Sequence, residues 1–140
     1  MESRGWRAFP FQVEAWEAYE EGHSGLIHAP TGMGKTLAAS LGPMLQPPFV
    51  AASPAPPTLL WVTPLRALAA DTAATLESTA RSLNLDWRVE LRTGDVSSGV
   101  RQRQRRRLPP CLVTTPESLS LLLSMPETRA RLSALRRVVA

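Results

Sequence analysis

The sequence predicts an α/β fold with a mainly parallel sheet and helices on both faces. Three observations predict it. A short apolar run leads into a glycine turn that ends in Gly34-Lys35-Thr36 and continues as helix-friendly sequence. Further apolar runs at 59–62, 87–91 and 112–114 each end in polar turn residues, and stretches with helical spacing follow. Two of these runs are continuous rather than alternating, as strands covered on both faces are. Strands that alternate with helices in this way form parallel sheets with right-handed crossovers.

A chain of 140 residues is the size of one domain and can bury its own core without a disulfide or a metal. Its single cysteine, Cys111, lies in the apolar segment Cys111-Leu112-Val113, which suits a buried, inert thiol. No apolar run approaches the roughly 20 residues that span a bilayer, and the residues after Met1 lack a signal-peptide core. A cytoplasmic protein with no membrane partner is therefore expected. The net charge of +4 is unevenly placed. Through Asp95 there are 7 basic and 10 acidic residues, −3, whereas from Val100 onward 9 basic and 2 acidic residues give +7. That asymmetry points to a polyanion contact in the later part.

Taken in order, Pro10 marks a helix start and residues 11–21 form an amphipathic helix ended by Gly22. Gln12, Trp16 and Tyr19 fall near one face. A carboxamide donates and accepts at once, which suits the edge of adenine, although a glutamine on a helix also serves simply as a solvated group. Trp6, Phe9 and Phe11 read as core or staple residues, with one aromatic or Arg7 as an alternative platform for a base.

Next comes a strand beginning at Leu26, then the loop Ala29-Pro30-Thr31-Gly32-Met33-Gly34-Lys35-Thr36. Strand, loop and helix start are the order a phosphate-binding P-loop needs, because backbone N–H groups and the helix dipole converge on one anion. Gly32 and Gly34 let the backbone approach phosphate oxygens, Lys35 reaches the β- and γ-phosphates, and the Thr36 hydroxyl holds Mg²⁺. Lys35 and Thr36 are thus the candidate catalytic pair of a triphosphate site, with Thr36 as the metal ligand. Ala29 stands where the motif usually begins with glycine, and its small side chain still permits the turn. Lys35 is the only lysine, in a chain that uses arginine for every other positive side chain.

A helix is predicted from Gly34 to about Gln46, then a surface loop over residues 47–57, where five prolines deny backbone donors. The strand at 59–62 stops at Thr63-Pro64, and residues 65–83 carry helical spacing through Leu65, Leu68, Ala69, Thr72, Ala73, Leu76, Ala80 and Leu83. The strand at 87–91 leads to Thr93-Gly94-Asp95. The strand at 112–114 leads to Thr115-Pro116-Glu117-Ser118, followed by a helix over 119–124. Five strands are expected in all, beginning at Leu26, Leu59, Trp87, Cys111 and Val138. Each polar tip lies at the carboxyl end of its strand, where open α/β sheets place ligands. Residues 101–107 hold five arginines, which either grip phosphates or form a solvated helix face or loop.

With Gln12, residues 29–36, Thr63-Pro64-Leu65-Arg66-Ala67-Leu68, Thr93-Gly94-Asp95 and Thr114-Thr115-Pro116-Glu117-Ser118-Leu119 in this order, the chain resembles the first RecA-like domain of a superfamily-two helicase. More narrowly it is similar to the large helicase-related, ligase-associated DExH-box group of DNA-repair helicases. The resemblance implies ATP and Mg²⁺ as cofactors, with Gln12 on adenine and Pro30, Thr31, Gly32, Met33, Gly34, Lys35 and Thr36 around the phosphates. It implies a single-stranded DNA track, or one for an RNA–DNA hybrid, lined by Thr63, Pro64, Leu65, Arg66, Thr93, Gly94, Asp95, Thr115, Pro116, Glu117 and Ser118. DNA ligase or nuclease repair partners belong to the same implication.

In that family an Asp-Glu-x-His strand end follows, which holds Mg²⁺ and positions water, and a second RecA-like domain supplies an arginine finger. Neither is found through Ala140. The expectation is the N-terminal part of a RecA-like P-loop domain, from a helicase whose residues 1–140 alone bind nucleotide without turning it over. A non-catalytic nucleotide- or nucleic-acid-binding module is the alternative. A small-molecule P-loop kinase would leave the Thr-Pro-Glu-Ser and Pro-Leu-Arg elements without a role.

Overall fold

The computed structural model describes residues 7–45 and 57–140, which fall into two compact units, Met1–Gln46 and Pro47–Ala140. Trp6 and all but the last residue of the proline-rich segment lie outside the described residues. In the first unit, α1 (Pro10–Glu20) packs on α2 (Lys35–Leu45). Phe9 is extended at φ −73° and ψ 150°, and Pro10 follows with its φ already set for a helix. Beyond Glu21, Gly22 takes φ 80° and turns the chain out of α1. Gly42 allows the helices to meet, since a Cβ there would lie 2.6 Å from the Tyr19 ring.

The strand expected at Leu26 is not formed. Residues 23–30 carry no ladder, and Leu26 is 92% exposed. An apolar run becomes a strand only against a neighbour, and the described residues of this unit contain no other strand to pair with.

The second unit is a four-stranded parallel sheet of order β2-β3-β1-β4. Its strands are β1 (Leu59–Val62), β2 (Val89–Arg92), β3 (Cys111–Thr114) and β4 (Arg137–Val139). Between them run α3 (Arg66–Ser82), α4 (Ser98–Arg106), α5 (Pro116–Ser124) and α6 (Pro126–Leu132). Leu60 aligns with Leu112, and both join Leu108 and Leu122 in a core flanked by Leu119, Met125 and Leu132, so α5 and α6 cover this face. Leu59, Cys111 and Val113 are buried and alternate to the other face. There α3 packs on β2 and β3 through its buried Ala69, Thr72, Leu76 and Ala80.

Several boundaries differ from the expected ones. Leu65 and Leu68 carry the helical period yet are 63% and 48% exposed, because the buried stripe of α3 starts at Ala69. The strand expected at 87–91 is shifted to Val89–Arg92, with Trp87 buried just ahead of it. The helix expected from Leu119 already begins at Pro116, where the proline occupies its first position. Pro126 then restarts the chain as α6, an element the sequence reading did not anticipate. The arginine run is helical as α4, N-capped by the Ser97 hydroxyl, which accepts from the Val100 N–H at 3.3 Å. Among the described residues no helix is long and apolar enough to cross a membrane.

Candidate functional site

The first unit carries residues 29–36, the segment expected to cradle phosphate. Gly32 and Gly34 both take φ 82°, a left-handed conformation that only glycine adopts without strain. The backbone curls back between them, with the Met33 N–H directed at the Pro30 carbonyl, and α2 begins at once with Lys35 and Thr36. Its first-turn N–H groups have no acceptor within the helix and face the loop with the positive end of the dipole. The Lys35 ammonium lies over the loop and donates to the carbonyls of Ala29 (2.6 Å) and Pro30 (3.1 Å). The ammonium is therefore held against the loop's own carbonyls.

Gln12 is 1% exposed and tied into this loop rather than solvated. Its Oε1 accepts from the Phe9 N–H at 2.9 Å, and its Nε2 donates to the Gly34 carbonyl at 3.1 Å. A Cβ on Gly34 would stand 2.6 Å from that Nε2, so the glycine gives the carboxamide its seat as well as the backbone its angle. One N–H and one lone pair of the amide lie outside these two bonds.

The second unit brings the other three elements to one edge. Val62 and Arg92 both align with Thr114, so the strands end level and Thr63, Thr93 and Thr115 follow side by side at the carboxyl edge. All three threonines are buried, and the Thr114 hydroxyl donates to the Arg92 carbonyl at 2.7 Å, tying β3 to β2 at the tip. The buried Thr63 hydroxyl has no hydrogen-bond partner among the described residues. Arg66 follows β1 and Asp95 follows β2, the two strands that flank β3. Their ion pair, Nη1 to Oδ1 at 2.8 Å, therefore reaches over the β3 tip. Gly94 makes room for it, since a Cβ there would lie 3.0 Å from the Arg66 guanidinium. Pro116, Glu117 and Ser118 form the first turn of α5, and the Thr115 hydroxyl donates to the Ser118 hydroxyl at 3.3 Å. Pro64 and Leu65 are exposed at the rim.

Sequence reasoning missed Arg92 and Gln104. Arg92 ends β2 and is 4% exposed; its Nη1 donates to the Arg101 carbonyl and to Gln104 Oε1, both at 3.3 Å. Gln104, fully buried within the arginine run, donates in turn to Glu90 Oε2 (3.0 Å) and the Leu91 carbonyl (3.1 Å). The signal was present: Glu90 and Arg92 share a strand face at period 2, and Gln104 interrupts a run of charge.

Comparisons with known proteins find relatives of this chain. The Lhr helicase/probable uracil glycosylase of Mycolicibacterium smegmatis is 36% identical over 141 residues, covering 93% of this chain and 9% of its own length. The ATP-dependent helicase Lhr-Core of Methanothermobacter thermautotrophicus is 34% identical over 130 residues, covering 84% of this chain and 15% of its own. The solved structure of Mycobacterium smegmatis helicase Lhr bound to ssDNA and AMP-PNP superposes with a TM-score of 0.76 at 35% identity, over 94% of this chain and 18% of that one. The chain thus spans a small part of the relatives it matches. Residues 9–140 match the DEAD/DEAH box helicase family, and the chain belongs to that family.

Proposed function

We propose that these residues are the ATP-binding and strand-contacting part of an ATP-dependent helicase or translocase that acts on single-stranded DNA. The observation that carries the reading is the loop of the first unit, with two left-handed glycines, the single lysine over the loop and a buried glutamine bonded to Gly34. An arriving triphosphate offers the ammonium and the first-turn N–H groups of α2 a better acceptor than the loop carbonyls, since charge-assisted bonds are stronger. Pro30, Thr31 and Met33 then contribute backbone to the cradle. Gln12 presents its remaining donor and acceptor to adenine, so base recognition and loop geometry share one side chain.

Thr36, next to Lys35 in the first turn of α2, would hold Mg²⁺ together with phosphate oxygens. The ion would neutralise charge on the phosphates. Among the described residues no group of three or more His, Cys, Asp or Glu side chains offers another metal site. In the second unit, Thr63, Pro64, Leu65, Arg66, Thr93, Gly94, Asp95, Thr115, Pro116, Glu117 and Ser118 form the strand track. It contacts phosphates with Arg66 and with hydroxyl and backbone groups at the level sheet edge. A relative whose name joins helicase to uracil glycosylase supports a DNA-repair setting. Ligase or nuclease partners are supported by the resemblance alone.

Nucleotide titration of the unmodified protein, Lys35→Ala and Gln12→Ala tests the reading. Lys35→Ala is expected to lose affinity for every triphosphate at least ten-fold, and Gln12→Ala to lose ATP selectively over the other triphosphates. Equal affinity in all three proteins would refute it.

A further inference from the structure

We propose that the cavity between the end of β2 and the facing parts of α4 and α5 is a second anion site, which takes a phosphate group on Arg92, Arg101 and Arg105 with Thr93 and Ser118. The cavity has a volume of about 260 Å³, and no carboxylate is among the described residues that line it. Three arginines therefore line one small space.

Arg92 is the telling member. It is 4% exposed, and among the described residues its side-chain bonds go only to neutral acceptors, the Arg101 carbonyl and the Gln104 amide oxygen, both from Nη1. A buried cation without a counter-charge is costly by several kcal/mol. Glu90, two residues earlier on the same face of β2, does not supply that charge, because Arg88, Arg103 and Gln104 already hold its oxygens at 3.2, 3.4 and 3.0 Å. Burial first, and then the like charges of Arg101 and Arg105, hold the Arg92 pKa below its ordinary value. A bound anion would offset the like charges of Arg101 and Arg105 and give the buried guanidinium a counter-charge.

The rest of the lining mixes Thr93, Gly94, Ser118 and Ser124 with the apolar Leu121 and Met125, so an oxyanion would be held by the arginines and hydroxyls alone. Arg101 and Arg105 are four residues apart on α4, so they share a face, and both are exposed with no side-chain ion pair among the described residues. Ser118 is buried beneath and receives the Thr115 hydroxyl proton, which leaves its own O–H free to donate. Thr93, Gly94 and Ser118 also belong to the strand track. The proposal rests on that reading for the source of the phosphate, a backbone phosphodiester of the bound strand, and not for the anion site itself.

Amide chemical shifts of the 140-residue chain, followed during addition of inorganic phosphate at constant ionic strength, test the site. Phosphate is expected to move the Thr93, Gly94 and Ser118 amides separately from those of the P-loop. Arg101→Ala/Arg105→Ala, both on the exposed face of α4, is expected to abolish the first set of shifts or demand at least ten-fold more phosphate, and to leave the second set intact. Unmoved Thr93 and Ser118 amides, or the same response in the double variant, would overturn the proposal. Oligo(dT) binding across a salt series tests the source. Loss of one backbone contact lowers the slope of log affinity against log salt by about 0.7. An unchanged slope refutes the strand as the source and leaves a site for free phosphate. If neither protein binds oligo(dT) while phosphate still moves Thr93 and Ser118, the strand reading fails and the anion site stands.

Discussion

Arg66 and Asp95 hold each other at the sheet edge with side chains 63% and 68% exposed, and exposed pairs contribute only about 0.2–1 kcal/mol. On the proposed strand track so weak a pair would be easily exchanged for a phosphate, and Asp95 would then repel the incoming strand while its partner attracts it. Asp95→Asn is accordingly expected to tighten oligo(dT) binding several-fold at low salt, and Arg66→Ala to weaken it and flatten its salt dependence. An affinity series at two salt concentrations checks both, and weaker binding by Asp95→Asn would assign that carboxylate a contact of its own. Gly34 answers to two constraints, φ 82° and a Cβ position 2.6 Å from Gln12 Nε2. Gly34→Ala incurs left-handed strain of about 1–2 kcal/mol plus the clash. Adding Gln12→Ala removes the clash together with the bonds of Gln12 to the Phe9 N–H and the Gly34 carbonyl, so rescue is read against Gln12→Ala alone. Denaturant melts of the single and double variants are expected to show partial rescue; full rescue would mean that the backbone angle costs nothing. Lys35, Gly32 and Gly34 were legible in the sequence because glycine spacing encodes backbone angle directly. The tie from Gln12 to Gly34 was not, since it joins residues 22 positions apart through packing.

At the scale of elements, α5 connects the core to the proposed strand track. Its first turn carries Pro116, Glu117 and Ser118, and one turn further on Leu122, fully buried, inserts beside Leu60, Leu108 and Leu112. Leu122→Ala is expected to cost about 2–5 kcal/mol, the range for a leucine truncated in a packed core. Hydrogen exchange should then quicken along α5 and β3 before β4, and a loss below 1 kcal/mol in urea melts would show that the helix is not anchored there. β1 and β3 were legible because a four-residue apolar run has few other uses between turn signals, and α3 because its period is long. The strand at Leu26 was misread for the complementary reason. Its pattern is the same, but a strand is a relation between two segments, and no local pattern reports whether the second is present. Likewise α6 is set by Pro126 restarting a helix after α5, in a stretch too short for periodicity to register.

At the scale of the molecule, the order β2-β3-β1-β4 places β3 between strands that precede it in sequence, and such long-range pairing is invisible to local pattern. What could be read was the consequence, polar tips gathered at one edge. The same topology buries Cys111 on an inner strand, 0% exposed, and makes the chain's one cysteine a reporter for opening of the sheet. Burial pushes its thiol well above the ordinary value of 9.0. The sign of the linkage follows. Below pH 9 the thiol is neutral folded or unfolded and contributes no pH dependence. Above it the unfolded chain ionises first, so the stability of the sheet unit falls by up to about 1.4 kcal/mol per pH unit from this group. Cys111→Ala abolishes that alkaline slope but opens a small cavity, so its melts are expected to start lower and to be flatter between pH 8.5 and 10.5. Thiol labelling should track global unfolding across the same range, its rate falling to the background of the urea-free protein when the sheet is intact. Rapid labelling at pH 8 without denaturant would show that β3 opens locally, and the level carboxyl edge on which the proposed strand track depends would then not be a standing feature of the fold.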